Sequence, residues 1–384
     1  MFRLIPPAGT PISLKDLFSS YFSFASSPIE EKMREYFGES KVFFTSSGRG
    51  AFFLILKALK ILFPNRDRVI LPAYTCPVLA EVVKECGLKI LLCDLEEDSL
   101  FMRKEHLLSL VDSRLLCVVP VHLFGYPHPL PEGDFPIVED CAQAWGAEIK
   151  GKKVGTLGVA GFFSLGKGKN LTTDGGGMIV TQDTRLGEIL TSLLNPLPPP
   201  PSFSLSLSFL TLLLYSYLIH PPGWKFFTLF PLPQEESSVF KGKIYRLSTF
   251  KMRLLEKNLF FLEKINRERE SNSKRWEKFL STFSFVKILK PPPESKPVYL
   301  RLPVLVEERV REKLYQALLR TGWGVTYMYR LPLYHYPQVD FLNKNHKFPH
   351  AENLSRRLIT LPTWGYKWER EEEKLEKIFK KFSP

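Results

Sequence analysis

The sequence predicts an α/β protein in which a large domain with a mostly parallel central sheet is followed by a smaller C-terminal α+β domain. From residue 42 to residue 182, short β-rich runs alternate with stretches of helical pattern. These runs are apolar without polar alternation, which is typical of strands that are buried on both faces of a sheet covered by helices. From about residue 246 the pattern changes to longer amphipathic helices with few strands.

The large domain is predicted to span residues 1–245. Its strands are Val42–Thr45, Arg68–Pro72, Lys89–Asp94, Leu115–Val121, Pro136–Glu139, Gly161–Ser164 and Gly177–Thr181. Between the early strands, helical patterns cover Gly50–Leu62 and Pro77–Cys86. Strands that alternate with helices in this way favour parallel pairing through crossover connections.

The small domain is predicted to span residues 246–384. It begins with a long amphipathic helix, rich in Lys, Arg and Glu, from Leu247 to Phe283. The remaining predicted elements are one strand at Val298–Val306 and helices at Arg309–Thr321, Ala351–Leu358 and Glu369–Phe382.

An apolar, proline-rich insertion interrupts the large domain between residues 193 and 234, and residues 189–224 carry no Asp, Glu, Lys or Arg. Its central part, Phe203–Ile219, is almost wholly apolar, but 17 residues span only about 25 Å as a helix, short of the roughly 30 Å hydrocarbon core. A single crossing would also place the two domains on opposite sides of the membrane. Three interpretations are left: a buried core or dimer-interface helix, a re-entrant hairpin, or a helix that lies in the membrane surface.

Aromatic residues beside a lysine follow this apolar run, as in proteins that contact lipid interfaces. We therefore consider peripheral membrane contact through residues 203–230, at the inner face of the membrane, against the plainer expectation of burial. The cluster consists of Trp224, Lys225, Phe226, Phe227 and Phe230.

The composition is that of a globular protein, since 44% of the residues are hydrophobic and 31 Phe and 14 Tyr can fill a large core. A formal net charge of +13 favours anionic partners such as phosphorylated substrates or anionic lipid. Nucleic acid is not expected as a partner, because the sequence has no zinc-finger spacing, no RNP-like strand and no basic stripe with interleaved aromatics.

Five cysteines lie in a predominantly apolar stretch: Cys76, Cys86, Cys93, Cys117 and Cys141. Their odd number and the lack of a CxxC pair argue for buried thiols in a reducing compartment, and against a disulfide framework or a zinc site. The N-terminal sequence lacks the apolar core of a signal peptide. We expect a cytoplasmic protein without a bound metal.

The turn within Phe162–Gly177 is the first motif with chemical meaning. It presents Lys167 and Lys169 at the end of a strand, the setting that a Schiff-base lysine needs if it is to be partly desolvated and able to lose its proton. Two solvated lysines in a surface turn are more common, so this motif alone does not decide.

Two further motifs lie at ends of predicted elements. In Pro136–Ala147 an apolar strand delivers a carboxylate at its C-terminal end, where ligands bind in open parallel sheets. Asp140 is therefore either a ligand-binding carboxylate or a helix cap. In Thr45–Ala51 small residues precede a helix whose N–H groups suit a phosphate, although an ordinary N-cap would have the same pattern.

Together these motifs resemble the DegT/DnrJ family of pyridoxal 5′-phosphate (PLP)-dependent sugar aminotransferases, which have the aspartate aminotransferase fold (fold type I). The similarity covers roughly residues 10–190 and 240–380, and the blocks occur in the family's order. They are Ser47–Ala51, Leu71–Thr75, Pro120–Gly125, Glu139–Ala144, Ser164–Gly177 and Pro349–Ser355, followed by Leu361 and Pro362.

The resemblance implies a role for individual residues. Lys169, and not Lys167, falls at the position that holds PLP as a Schiff base and moves the proton during transfer. Asp140 falls at the partner of the pyridine nitrogen, and Gln143 at the residue that contacts the ring hydroxyl. The positions that bind the cofactor phosphate are Ser164, Gly48 and Arg49, the last two through backbone N–H groups.

The resemblance also implies the reaction. An amino group, from glutamate as donor, would be transferred to a keto sugar carried on a nucleotide, for surface polysaccharide or glycoconjugate biosynthesis. The family's active site is built between two subunits, so a homodimer is expected.

Four positions depart from the family's usual residues. Cys76 stands where an aromatic residue often stacks on the cofactor ring, and Ile244 stands where an Asn often reaches the partner's cofactor phosphate. Trp145 replaces a common His, and the acidic residue of the glycine stretch is shifted to Asp174. These departures put ring stacking and the phosphate contact between subunits in doubt.

Two alternatives are retained. Relatives that act as PLP-dependent sugar dehydratases replace the Schiff-base lysine by histidine, so Lys169 argues against that reaction. The other alternative is a membrane-associated binding or regulatory protein that keeps the fold without the activity.

Overall fold

A computed structural model of the protein describes residues 5–219 and 243–383 and has the predicted α/β architecture. The strands are β1 (Lys41–Thr45), β2 (Arg68–Pro72), β3 (Lys89–Cys93), β4 (Leu115–Val118), β5 (Val138–Asp140), β6 (Glu148–Ile149), β7 (Lys152–Lys153), β8 (Ala160–Ser164), β9 (Gly177–Thr181), β10 (Val286–Ile288), β11 (Ser295–Lys296), β12 (Leu302–Val306) and β13 (Leu358–Leu361). The helices are α1 (Leu14–Phe22), α2 (Ile29–Tyr36), α3 (Gly48–Leu62), α4 (Pro77–Glu85), α5 (Lys104–Ser109), α6 (Thr184–Leu194), α7 (Ser202–Leu218), α8 (Thr249–Leu280), α9 (Glu308–Arg320), α10 (Pro349–Arg357) and α11 (Glu372–Phe379).

Seven of the described strands form one mixed sheet in the order β1-β9-β8-β5-β4-β2-β3. Its two parts, β1-β9-β8-β5 and β4-β2-β3, are joined by parallel bridges from Val118 to Ile137 and from Val121 to Asp140. The neighbours from β8 to β3 are parallel, whereas β9 runs antiparallel to both β8 and β1. The prediction of a mostly parallel sheet is confirmed.

The parallel strands β4, β5 and β8 end at one edge of this sheet. The Asp140 N–H donates to the Pro120 carbonyl at 2.9 Å, and the Cys141 N–H donates to the Phe162 carbonyl at 2.9 Å. Since β1 also ends at this edge, the N-terminus of α3 approaches the same place. The carboxyl ends of parallel strands are where ligands bind in open α/β sheets.

The C-terminal part of the chain packs helices on the antiparallel sheet β10-β12-β13. The strand predicted to begin at Val298 begins instead at Leu302. Val298 donates its N–H to the Gly125 carbonyl at 3.0 Å, and Tyr299 has a φ of +43°, a conformation that no strand ladder accommodates. The boundary between a large and a small domain at residues 245 and 246 stays a prediction.

Within the described part of the apolar insertion, residues 202–218 form the continuous helix α7, which excludes a re-entrant hairpin between these two residues. One face is buried: Leu212 and Tyr215 pack with Ile12 and Leu17, which belong to the N-terminal segment and to α1. The burial interpretation therefore describes half of this helix.

The opposite face of α7 is exposed. Phe203, Leu207, Leu210, Leu214 and Tyr217 recur every three or four residues, and each is more than half exposed. In the part of the chain that the structure describes, no helix is long and apolar enough to cross a membrane. The aromatic and basic cluster at residues 224–230 lies outside the described residues.

Candidate active site

Two lysines lie in the turn between β8 and β9, and their surroundings differ. Lys167 is exposed, and its Nζ pairs with Asp174 Oδ1 at 3.0 Å. Lys169 is half-buried and lines a cavity at the carboxyl edge of the sheet. Gly168, between them, has a φ of +81°, which a residue with a Cβ rarely adopts. The turn therefore directs the two lysines to different places.

The turn is closed by backbone hydrogen bonds at its base. The Leu165 carbonyl accepts from the N–H groups of Thr173 and Gly175 at 3.0 and 3.1 Å. Lys251 of α8 donates its ammonium to the Asp174 carbonyl at 2.6 Å. These contacts hold the turn against α8, which is distant in sequence.

The N-terminal segment supports the backbone around Lys169. The Thr10 hydroxyl donates to the Asn170 carbonyl at 2.5 Å, and Arg269 Nη2 donates to the Gly9 carbonyl at 2.8 Å. With the Asn170 amide assigned so that its oxygen faces Arg269, that oxygen accepts from Arg269 Nη1 at 3.0 Å. Burial lowers the pKa of Arg269 to about 10, so its guanidinium keeps its charge at neutral pH and holds both segments.

Asp140 ends β5 and lines the same cavity as Lys169. Its Oδ1 accepts from the Ala142 N–H at 2.9 Å. Burial raises the pKa of this carboxyl, while the Ala142 N–H and the charge of Lys169 act in the opposite direction. A buried carboxylate of this kind is best stabilised by a cationic group within the cavity.

Glu139, the residue before Asp140, points away from the cavity and is fully buried. Its Oε2 accepts from His122 Nε2 at 3.0 Å and from the Gly155 N–H at 2.8 Å. Its Oε1 accepts from the N–H groups of Leu157 and Gly158 at 2.7 and 2.8 Å. Four donors thus satisfy the carboxylate and fix the end of β5.

The side chains of His122, Glu139 and Cys141 lie close enough to one another to suggest a metal site. His122 Nδ1 accepts from the His128 N–H at 2.8 Å, so the proton of His122 lies on Nε2 and is donated to Glu139. Both carboxylate oxygens are also occupied by hydrogen bonds, and the trio serves the packing of β5.

Gln143 and Tyr329 meet at the inner wall of the cavity. Gln143 Oε1 accepts from the Phe124 N–H at 3.0 Å, and Gln143 Nε2 donates to the Tyr329 hydroxyl at 3.4 Å. Tyr329 also faces Cys76, and burial raises the pKa of both groups. Tyr329 was not predicted, because it comes from the loop-rich C-terminal part and carries no motif of its own.

The N-terminus of α3 opens onto the cavity. The Ser47 hydroxyl caps the helix by accepting from the Gly50 N–H at 3.0 Å. A Cβ on Gly177 would lie 2.2 Å from the Ser47 carbonyl, and one on Gly48 would lie 3.1 Å from the Ser164 Cβ. Glycine at these positions lets three backbone segments meet where the first N–H groups of the helix emerge.

The cavity has a volume of about 490 Å³, within the range of small-molecule sites. All six residues predicted as site residues line it: Gly48, Arg49, Asp140, Gln143, Ser164 and Lys169. Their individual roles stay predictions.

The structure explains two of the four positions, Trp145 and Asp174, at which the sequence departs from the family's usual residues. Trp145 is fully buried, packs with its ring centroid 4.5 Å from that of Phe163 at an interplanar angle of 50°, and donates its indole N–H to the Ser164 carbonyl at 3.2 Å. Asp174 is displaced from the cavity and pairs with Lys167.

The DegT/DnrJ/EryC1/StrS aminotransferase family is matched over residues 25–382. The chain is 36% identical over 158 residues to a UDP-N-acetyl-3-dehydro-alpha-D-glucosamine 3-aminotransferase of Acidithiobacillus ferrooxidans, which is 39% of this chain and 42% of that protein. It is 31% identical over 172 residues to a GDP-4-keto-6-deoxy-D-mannose 3-dehydratase of Yersinia pseudotuberculosis, which is 42% of this chain and 44% of that protein. The matched parts are less than half of these relatives.

The fold extends further than these local matches. The Helicobacter pylori aminotransferase PseC, involved in the biosynthesis of pseudoaminic acid, superposes with a TM-score of 0.77 at 17% identity, covering 99% of this chain and 100% of that structure. At this identity the superposition shows the fold alone. On the match over residues 25–382, the chain belongs to the DegT/DnrJ/EryC1/StrS aminotransferase family.

Proposed function

We propose that this protein is a PLP-dependent aminotransferase that transfers an amino group from glutamate to a keto sugar, carried on a nucleotide, for surface polysaccharide or glycoconjugate biosynthesis. The observation that carries the proposal is the meeting of Lys169 and Asp140 in one cavity, beside the N-terminus of α3. An amine, a buried carboxylate and a phosphate-binding helix end are three separate requirements of this chemistry.

The residues present fit PLP. Burial raises the pKa of the Asp140 carboxyl. A protonated pyridine nitrogen would stabilise its carboxylate by an ion pair. The N-terminus of α3 would bind the phosphate dianion, and Gly48, Arg49 and Ser164 lie around it. Lys169 supplies the amine that an aldehyde requires.

When bound, PLP supplies an electron sink for the carbanion that forms as the donor loses its α-proton. Asp140 would keep the ring nitrogen protonated, and Gln143 would contact the ring hydroxyl. The Lys169 amine would act as the base that takes the α-proton from the donor carbon and holds it for return. One water would supply the keto oxygen as glutamate leaves as its 2-oxo acid, and one water would be released as the amino group replaces the keto oxygen of the sugar.

The dehydratase alternative has a relative in its favour, since one matched protein bears that name. The lysine at position 169 supports amino transfer instead, because a base that also attaches the cofactor is needed in both halves of that reaction. Five free cysteines support a reducing compartment such as the cytoplasm.

A homodimer is part of the proposal, because the family resembled places its active sites between two subunits.

Contact with the inner face of an anionic membrane is also part of the proposal. The exposed faces of α7 and α1 lie side by side, and the face on α1 consists of Leu14, Phe18 and Phe22. Lys15 is exposed beside them, and the +13 net charge favours anionic lipid.

Replacing Lys169 by alanine should abolish the visible absorbance band of lysine-bound PLP, because the other lysine among the described lining residues, Lys243, is exposed at the mouth of the cavity. Lys167→Ala is the matched control and should keep the band, since Lys167 faces Asp174. Spectra of both proteins before and after borohydride provide the measurement. A reducible band and full activity in Lys169→Ala would refute the assignment.

Replacing Asp140 by asparagine should slow the reaction with glutamate by at least about a hundredfold, because the charge that keeps the ring nitrogen protonated is removed. The measurement is the rate at which glutamate bleaches the visible band in single-turnover experiments. Asp174→Asn removes a carboxylate at the outer edge of the turn and should retain the normal rate. If Asp140→Asn also reacts at the normal rate, Asp140 is no more than a cap for the following turn.

Sedimentation equilibrium should give a mass near twice the chain mass of 44.3 kDa, because each site is proposed to need two subunits. Activity should fall on dilution below the dimer dissociation constant. A fully active monomer would contradict this prediction.

Wild-type protein should float with anionic but not neutral liposomes at low salt, because an apolar face and a basic surface act together. The double variant Leu210→Glu/Leu214→Glu should stay at the bottom, whereas Leu319→Glu, at an exposed leucine of α9, should float. Wild type that stays at the bottom overturns the membrane contact. A double variant that loses its dimer would assign this face to the second subunit.

A further inference from the structure

The segment that follows the undescribed residues 220–242 is fastened beside the helix end that opens onto the cavity. The Ser46 N–H donates to the Tyr245 carbonyl at 2.9 Å, and the Tyr245 N–H donates to the Ser46 hydroxyl at 3.1 Å. One residue later, Arg246 forms an isolated antiparallel bridge with Thr45. This pairing continues from the end of β1 and fixes residues 244–246 next to Ser47, the N-cap of α3.

Neighbouring side chains of this segment have different surroundings. Ile244 is buried, and its Cγ2 would lie 3.0 Å from a Cβ on Gly50 in the first turn of α3. Ile244 therefore packs against the helix and is not among the residues that line the cavity. Lys243 does line the cavity, and it is exposed at the mouth.

Of the charged side chains that line the cavity, Lys243 is one for which the proposed function has not yet given a partner. The charged side chains among the described lining residues are Asp140, Lys169, Arg49 and Lys243. In the proposed function, Asp140 would pair with the ring nitrogen and Lys169 would react with the aldehyde. A phosphate dianion at the N-terminus of α3 would then be met by the helix end and by the cations on its rim. The N-terminus of a helix provides only about half a positive charge.

We infer that Lys243 is a phosphate-binding residue of this site, and that its ammonium is the contact that this segment contributes to the cavity of its own chain. The inference rests on the proposed function. Its ligand is a phosphate group, which has two possible sources: the 5′-phosphate of the cofactor, or the diphosphate of a nucleotide-linked sugar that enters through the same mouth. A lysine suits both, since it acts as a point charge on a flexible stem.

Two titrations test the inference. In the first, PLP is added to the apoprotein and its binding is followed by visible absorbance. In the second, inorganic pyrophosphate is added to the PLP-loaded protein and its binding is followed by calorimetry. The variants are Lys243→Ala and Lys243→Arg, with Lys313→Ala as a control at an exposed lysine of α9. Circular dichroism verifies that each protein is folded.

Lys243→Ala should weaken one of the two ligands about tenfold at low salt, while Lys243→Arg and Lys313→Ala should bind like wild type. The loss should shrink in 1 M salt, where the screening length is about 3 Å. A loss for PLP assigns Lys243 to the cofactor phosphate, and a loss for pyrophosphate assigns it to the substrate.

Equal affinities of Lys243→Ala and wild type in both titrations would overturn the inference, as would an equal loss in Lys313→Ala. Failure of the proposed function is visible separately, because wild-type apoprotein would then fail to develop the visible band with PLP. In that case the pyrophosphate titration would be made on the apoprotein, where it would still report on Lys243.

Discussion

At the end of β5 the carboxylate of Glu139 is fully buried and accepts four hydrogen bonds, from His122 Nε2 and from the N–H groups of Gly155, Leu157 and Gly158. Each of these donors would cost roughly 1–3 kcal/mol if it were left buried without a partner. The carboxylate thus joins β5 to the loop before β8 and to the segment after β4. Because successive side chains of a strand point to opposite faces, fixing Glu139 on one face places Asp140 on the other.

The lysine side of the cavity depends on contacts between parts of the chain that are distant in sequence. Arg269 of α8 binds Gly9 and the amide of Asn170, and Thr10 binds the carbonyl of Asn170. Lys251, also on α8, closes the other end of the turn at Asp174. The reacting groups therefore stand on one strand end and one turn, each fixed by buried polar contacts. Such preorganisation is what electrostatic stabilisation in a catalytic site requires.

Most of the sheet and the lining of the cavity could be predicted from sequence, because apolar runs mark buried strands and the motifs lie at their ends. The distinction between Lys167 and Lys169 came from family resemblance, since both occupy one turn; the structure adds the ion pair of Lys167 with Asp174. Tyr329, Thr10 and Arg269 were missed because their roles arise from tertiary contacts.

Helix α7 shows a different limit of sequence patterns. Apolar residues occur on all sides of it, so no periodicity distinguishes the side that packs on α1 from the side that is exposed. The start of β12 was misplaced for a related reason. The residues Val298–Leu300 are apolar like the strand, but they are held by the turn at Gly125 and by the positive φ of Tyr299.

The attachment of the cofactor to one particular lysine tests the central claim most directly. Protein loaded with PLP would be reduced with borohydride, digested, and the modified peptide identified by mass spectrometry. The account predicts that the pyridoxyl group is found on Lys169. Modification of Lys167 or Lys243 instead, with Lys169 unmodified, would contradict it.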